Sequence, residues 1–556
     1  MVYLESRQIR GQTYWYLVEK QRDGPRLVKT LNFYLGTPAS LLERLRSKEP
    51  LPSGHLRLRS FPFGRAALLL RVAQDLDLLT LVDRNARKRP YPGLSVGQYL
   101  LLTLLARAYE PWSKAATGRW FDRESFLRFL WKTPHRVHGG SILANLRRLA
   151  EPGVQKRVER AVAQRLVAQG HRPSRLFWDV TNHSTYIEEG ETLPTPGHAK
   201  DLRYDLNLVS TGLVVTEDHV PLFHETLPGN CDEHEVFAKA VEALTVRLVG
   251  LELDPGEMIL VMDKGANSEE NFAKATELMH VVGSVPSHLV PELMDLPIEE
   301  FTPLHETGRG TPLVGHLGRR ELYGREWNVA VTYNAATARR KEATYRRYEA
   351  RFRERMAKLQ AGYLRTKGRA TTYSGAAAEA AAQVFPPYRS VFRYAISEEP
   401  RQFTWSVDEE ARARLFRRFG KRVFFTDLDW DAAAMARTYE ERYKVEQDFA
   451  WIKGEEMMPF APLFVRKDAS IRAHAFLIVM GLMLWRLAFQ RIRQAGIGAS
   501  EGEILEALDE LKVALVAEGK GGKLRAGRWV LEEHGPLAER LFRTMKLEEF
   551  VPTSRP

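Results

Sequence analysis

Two short apolar runs constrain this chain more than anything else in it, because each stops on a carboxylate. They are Leu176-Phe-Trp-Asp179, followed by Val-Thr, and Met258-Ile-Leu-Val-Met-Asp263, followed by Lys-Gly265. Runs of this length without alternation predict strands covered on both faces. Stopping them on an ionised group leaves a charge beside a core, which is costly unless a cation or a metal meets it. The neighbouring pattern predicts further elements of one sheet. Leu206 to Glu217 and Val220 to Glu225 read as two strands joined by a turn at Asp218-His219, and Pro228-Gly-Asn-Cys-Asp232 leads into an amphipathic helix over Glu235 to Val249. A helix capped by Asn267, with Glu270 at its third position, follows Asp263, and Val281-Val-Gly-Ser-Val285 is a fifth strand. Three strands, helix, strand, helix, strand is the predicted order.

A second feature lies far downstream, in Tyr439-Glu-Glu-Arg-Tyr-Lys-Val-Glu446-Gln-Asp-Phe-Ala-Trp-Ile-Lys453. No Gly or Pro interrupts Asp431 to Lys453, an Asp at 429 or 431 can cap the start, and Gly454 follows the end, so one helix is predicted. Taking Tyr439 as zero, Arg442, Glu446 and Lys453 fall at roughly −60°, −20° and −40° around that helix. These four residues would share one stripe bordering the apolar Val445, Phe449 and Ile452. A carboxylate flanked by two cations and a phenol suits a phosphate-handling site. Ordinary surface pairing, as between Glu441 and Lys444, is the competing explanation.

The remaining chain supplies the setting. Residues 1–60 comprise a small antiparallel β module broken at Arg10-Gly11 and Asp23-Gly24, a short helix over Leu41 to Lys48, and the linker Glu49-Pro-Leu-Pro-Ser-Gly54. Residues 61–167 are helical, with Lys88 to Gly93 as a break. Arg119, Arg123, Lys132, Arg136, Arg147 and Arg148 give that part a basic side, as expected of a DNA-binding domain or of an ordinary bundle. Residues 290–420 interrupt the pattern as a β-rich and helical insertion. In its basic helix, Ala335 to Leu359, the stripe Tyr345, Tyr348 and Phe352 is expected to pack on Ala376 to Val384 rather than to stack on bases. Val423-Phe-Phe-Thr-Asp427 returns to strand, Ile471 to Ile492 is an apolar helix, and residues 491–556 are expected to be helical around a Gly-rich break.

Composition narrows the chemistry. The formal net charge is +12, so an anionic partner such as nucleic acid is expected. The single cysteine, Cys231, excludes an internal disulfide and a Cys-rich zinc site, and fits a reducing cytosol. His198, His219, His224 and His234 lack metal-ligand spacing, and His474 reads as a packing residue. No signal peptide is indicated at the amino terminus, and Ala475 to Trp485 is too short an apolar run to span a bilayer.

The strand–helix order is that of a ribonuclease-H-like core, in which the first and fourth strands lie side by side and would bring Asp179 and Asp263 together. Two-metal phosphodiester chemistry needs hard oxygen ligands from separate segments, and Asp179, Asp263 and Glu446 meet that need; Asp427 and Asp429 rival Glu446 but suit helix capping better. At these residues the chain resembles the insertion-sequence transposases of the Asp-Asp-Glu class that carry a Tyr-x2-Arg-x3-Glu-x6-Lys signature, matched here by Tyr439, Arg442, Glu446 and Lys453. Asp179-Val-Thr, Gly197-His-Ala-Lys-Asp-Leu-Arg-Tyr-Asp205, Leu227-Pro-Gly-Asn230 and Asp263-Lys-Gly265 resemble the family's other blocks, so the likeness runs from about residue 170 to 490. Ala199 and Tyr204 stand where the family block usually has Ser and Pro.

The resemblance implies a multidomain α+β protein. Its ribonuclease-H-like core would occupy residues 168–289 and 421–490, split by the insertion, with helical parts at both ends. It further implies two Mg²⁺ ions, with Mn²⁺ as a substitute, on Asp179, Asp263 and Glu446, and DNA contacts from Tyr439, Arg442, Lys453, Lys200 and Arg203. The implied activity is binding of terminal inverted repeats, cleavage of the element's ends and joining of the 3′-hydroxyls to target DNA, by a cytoplasmic homodimer with no membrane role. A transposase-derived DNA-binding regulator without chemistry, and a nuclease of the same fold without strand transfer, are the alternatives.

Overall fold

The computed structural model of the chain describes residues 2–9, 12–23, 26–38, 56–86, 93–133, 136–188, 190–306, 310–366, 371–454, 457–520, 523–524 and 528–553. The expected helix at 41–48, the linker at 49–54, the turn at Arg10-Gly11, most of 88–93 and Gly521-Gly522 lie outside these residues.

Strands β1 (Val2–Ile9), β2 (Gln12–Asp23) and β3 (Arg26–Gly36) form the expected antiparallel meander. Its aromatics pack on one another: Tyr16 lies 5.2 Å from Tyr34, with Arg7 over the Tyr16 ring. Strand β4 (Leu56–Pro62) departs from the expected linker boundary, since it pairs antiparallel with the Lys512–Lys520 strand near the far end of the chain. The tail is therefore not purely helical. Its helices Glu501–Glu510 and Pro536–Thr544 flank strands, and β4 delivers Phe61 and Phe63 into the same core as Leu508 and Leu511.

A nine-stranded mixed sheet, counted over the described residues, organises the middle of the molecule. It contains β5 (Arg175–Thr185), β6 (Asn207–Thr216), β7 (Pro221–Pro228), β8 (Ile259–Met262), β9 (His280–Ser284), β10 (Thr302–Glu306), β11 (Pro312–Leu322) and β12 (Arg325–Asn334). After the hairpin β13 (Phe392–Ser397) and β14 (Gln402–Val407), strand β15 (Lys421–Thr426) completes it. The spatial order is β7-β6-β5-β8-β9-β15-β12-β11-β10. Pairings β5–β8 and β8–β9 are parallel and the others antiparallel.

This arrangement corrects the expected insertion. The strands between 302 and 334 are not a separate module, because β12 pairs with β15 over Asn328↔Thr426 to Tyr333↔Lys421 and so widens the central sheet. The inserted body is smaller, built from the helices Ala335–Tyr363 and Tyr373–Gln383, the β13–β14 hairpin and the helix Glu409–Arg418. It has its own apolar core, in which Tyr345 and Phe352 are buried with Ala376, Ala380 and Phe392. The aromatic stripe is thus a packing stripe, as its helical spacing predicts.

Strand alternation divides the sheet's two faces. Trp178, Met262, Val281 and Phe425 point into a core with the helices Glu233–Val249 and Glu269–Leu278. Phe177, Val261, Val282 and Phe424 point the opposite way, into a core shared with residues 432–453, the helical region before the sheet and the Asp468–Gln494 helix. That last helix is long and apolar enough to cross a bilayer by length and composition, yet 89% of its apolar window is buried in the protein. His474 sits within it as a packing residue, its Nε2 2.9 Å from the Phe460 carbonyl, and burial drives it well below the ordinary histidine range.

Candidate active site

The face that carries Phe177, Val261, Val282 and Phe424 also carries the site, two residues further along three of these strands. Asp179, Asp263 and Ser284 each follow the buried residue by a period of two, so their side chains leave the sheet on the same face. The parallel register pairs Trp178 with Met262, which puts Asp179 and Asp263 next to each other across adjacent strands. Asp263 and Ser284 stand at strand ends, as expected of Asp263. Asp179 differs, because β5 runs on to Thr185 and the carboxylate lies mid-strand.

The downstream stretch also differs from its expectation. It is two helices, Ala432–Glu440 and Tyr443–Lys453, separated at Glu441-Arg442, so the single-helix angles do not apply across the break. Asp431 caps the first helix through the Ala434 N–H. The second is held by Val445, Phe449 and Ile452 and by a buried ion pair in which Arg486 Nε meets Asp448 Oδ1 at 2.5 Å. The break serves the geometry. It places Tyr439 against Phe424 and under β9, and it turns Arg442 into the space between the sheet's carboxylates.

Arg442 is the centre of the resulting cluster. Its Nη1 donates to Asp179 Oδ2 at 3.1 Å, its Nη2 lies 3.7 Å from Asp263 Oδ2, and the same Nη2 donates to Glu446 Oε1. The Tyr439 hydroxyl donates to Asp263 Oδ1 at 3.1 Å and lies 2.9 Å from Ser284 Oγ. Burial, and then the Asp263 charge, push the Tyr439 phenol up to about 12, so it stays a hydrogen-bond donor near neutral pH. Burial raises Asp179 above the usual carboxylate range, opposed by Arg442 and then Lys200. For Arg442, burial works against the charge, but Asp179 foremost among the surrounding groups holds it above its ordinary value. Glu446 is the open member, with 56% of its side chain exposed.

The other expected DNA contacts are distributed unevenly. Lys453 is lowered by burial and then by Lys200, and it faces a neighbouring cleft of about 830 Å³ with Tyr186 and Phe464. Lys200 donates to the Val180 carbonyl at 2.5 Å and lies 3.6 Å from Glu233. Arg203 makes a two-pronged pair with Asp205 on its own loop, 2.9 Å at both contacts, so it is engaged away from the carboxylates. Asp427 accepts from the Val281 N–H at 2.8 Å and meets His280 Nδ1 at 2.7 Å, at the opposite end of β9 from Ser284. That placement removes Asp427 as a third site carboxylate. Asn267 does not cap its helix, because Ser268 does, and its amide instead donates to the Ser284 carbonyl and Tyr323.

Ser284 was not singled out by the sequence, although the alternation of Val282 and Ser284 in β9 carried the signal. Among the described residues no three His, Cys, Asp or Glu side chains lie close enough to share one metal ion, since Arg442 spaces the acids apart. The donor set nonetheless has the right chemistry for a hard divalent cation: three carboxylates from β5, the end of β8 and a helix face one cationic position. A protein-family scan of the chain finds no match, and no curated protein matches it.

Proposed function

We propose that the protein is a Mg²⁺-dependent DNA transposase with a ribonuclease-H-like catalytic core, acting on the terminal inverted repeats of an insertion sequence in the cytoplasm as a homodimer. The observation that carries this reading is the convergence of Asp179, Asp263 and Glu446 on one guanidinium, with Tyr439 bracing Asp263. The order β7-β6-β5-β8-β9, with β6 antiparallel to both neighbours and β5, β8 and β9 parallel, supports the fold named in the proposal.

Asp179, Asp263 and Glu446 would hold the metal, and two ions when bound would supply Lewis-acid activation of the attacking group and neutralise the leaving oxygen. The chain's own residues do the rest. Tyr439, its hydroxyl positioned by Ser284, holds the Asp263 carboxylate, and the backbone N–H of Val180 donates to Asp179 at 2.8 Å. Arg442 neutralises the acids while the site is empty of substrate. A phosphate group offers that guanidinium a two-pronged alternative partner, so substrate entry would draw Arg442 outward and leave the three carboxylates to the metal. Lys453 then stands beyond Glu446 to take a second phosphate.

The test is to incubate the purified protein with Mg²⁺ and the DNA flanking its own coding sequence. Cleaved ends together with joined products support the proposal. Cleavage without joining indicates a nuclease, and binding without cleavage indicates a regulator. Asp179→Ala and Asp263→Ala should each abolish cleavage, and wild-type cleavage by either would sink the assignment.

A further inference from the structure

The cleft that contains the carboxylate cluster does not stop at it. It has a volume of about 480 Å³ and continues from Asp263 and Glu446 past the end of β9, along Ser284 and Ser287, to the start of β15 at Arg422. Strand alternation explains why Arg422 belongs there. In β15, Lys421, Val423 and Phe425 face the other side, where the Lys421 ammonium donates to the Met294 and Leu296 carbonyls, while Arg422 and Phe424 face the side of Tyr439. Because β15 is antiparallel to β9, with Phe424 opposite Ser284, Arg422 lies beyond the same sheet edge that presents Asp179 and Asp263.

Of the cations that border this cleft, Arg442 is taken by the carboxylates and Lys421 by the Met294 and Leu296 carbonyls. Two others are not engaged. The side chains of Lys264 and Arg422 line it, are exposed, and make no hydrogen bond or ion pair among the described residues. On the far side of Arg422, across β12, begins the Ala335–Tyr363 helix, whose Lys341 is likewise unpaired among the described residues. Burial lowers Lys341, and after burial the largest causes are Arg422 and Arg340, so like charges are crowded here without a carboxylate between them. An unpaired cation row costs stability unless an anion is to fill it. Tyr443, 56% exposed on the wall of the same cleft, offers a ring face for stacking.

Resting on the transposase reading, we infer that this cleft is the track for a single nucleic-acid strand bordering the scissile phosphate, with Lys264, Arg422 and Lys341 neutralising successive phosphates and Tyr443 stacking on a base. The volume suits a nucleotide-sized ligand and cannot enclose a duplex. The strand would run from the carboxylates across the sheet edge to the inserted body, which gives the insertion a role in holding substrate.

The experiment is a fluorescence-anisotropy titration in EDTA, at several salt concentrations, with a blunt DNA duplex and the same duplex bearing a single-stranded extension. Wild type should prefer the extended duplex. Lys264→Ala and Arg422→Ala should each weaken binding of the extended duplex by about tenfold and make its log–log salt slope shallower by about 0.7 per lost phosphate contact. Both should leave the blunt duplex unchanged, and Arg422→Lys should recover most of the affinity. Arg346→Ala, on the Ala335–Tyr363 helix with Lys341 but paired with Glu342, is the control and should change nothing. Equal weakening of both duplexes, or no change for either variant, overturns the track. Failure of wild type to bind either DNA overturns the transposase reading along with it.

Discussion

Arg442 is the residue on which the most depends. Three carboxylates meet at it, and removing it leaves Asp179 largely buried with its nearest cation gone. Arg442→Ala should therefore lower stability in EDTA by about 3 kcal/mol, and Mg²⁺ should raise the apparent Tm of this variant more than that of wild type, because the carboxylates are freed to take it. Thermal unfolding with and without Mg²⁺ reads both effects; equal Mg²⁺ shifts would mean the acids do not share a cation. Glu446→Gln should behave differently, binding DNA at least as well as wild type while failing to cleave in a single-turnover assay. Lys114 makes a separate case. It is buried beside Arg107, and burial brings its ammonium down to about 7 from an ordinary 10.5. The unfolded chain keeps that proton to higher pH than the folded one, so stability rises with pH between about 7 and 10.5 and the full penalty applies below that window. Lys114→Met should gain about 1–3 kcal/mol at pH 6, a gain that fades toward pH 10; a pH-independent effect in chemical denaturation would refute the cause.

Between elements, a buried polar triad adds to the shared apolar core that joins the helical region to the sheet. Glu159, on the Val154–Ala168 helix, meets His224 of β7 and, at 2.6 Å, Arg247 of the Glu233–Val249 helix. Burial alone would raise Glu159, but His224 and then Arg247 outweigh it and hold it below 4.5. A carboxylate with a depressed folded value contributes stability that is present above its unfolded value and lost as pH falls through the folded one. The apparent Tm should therefore drop as pH falls below about 4.5. Glu159→Gln should flatten that drop and cost about 3–5 kcal/mol at pH 7. An unchanged acid limb in the variant would show that other carboxylates govern acid unfolding.

For the whole molecule, the formal charge of +12 sets the expected binding behaviour. Affinity for duplex DNA should fall steeply with salt, with a log–log slope of about −0.9 per phosphate neutralised and so roughly −5 or steeper for six contacts. A slope near zero would assign the charge another purpose. The apolar interior also shapes the molecule at this scale. One core runs from Phe61 and Phe63 through the Asp468–Gln494 helix to Leu547, so segments nearly 500 residues apart in the chain fold against each other.

Periodicity alone, read from the chain, determined the strands around Asp179 and Asp263, the Glu233–Val249 helix between them and the packing stripe of Tyr345 and Phe352, whereas Tyr439, Arg442 and Glu446 come together across a helix break that the single-helix period did not show. These are local facts, written in steps of two and of 3.6 residues. What the sequence could not determine depended on partners distant in the chain. The break at Glu441-Arg442 leaves no Gly or Pro, and it arises where one helix packs on β9 and β15 while the next is pinned by Arg486. The strands at 302–334 could be assigned to the central sheet only once β15 had returned from beyond the insertion to pair with β12. The orphaned cations Lys264 and Arg422 look like any other basic residues until the fold shows which carboxylates are already taken. Pairing between distant segments is set by the competition of all surfaces for one core, and that competition is decided by the tertiary structure.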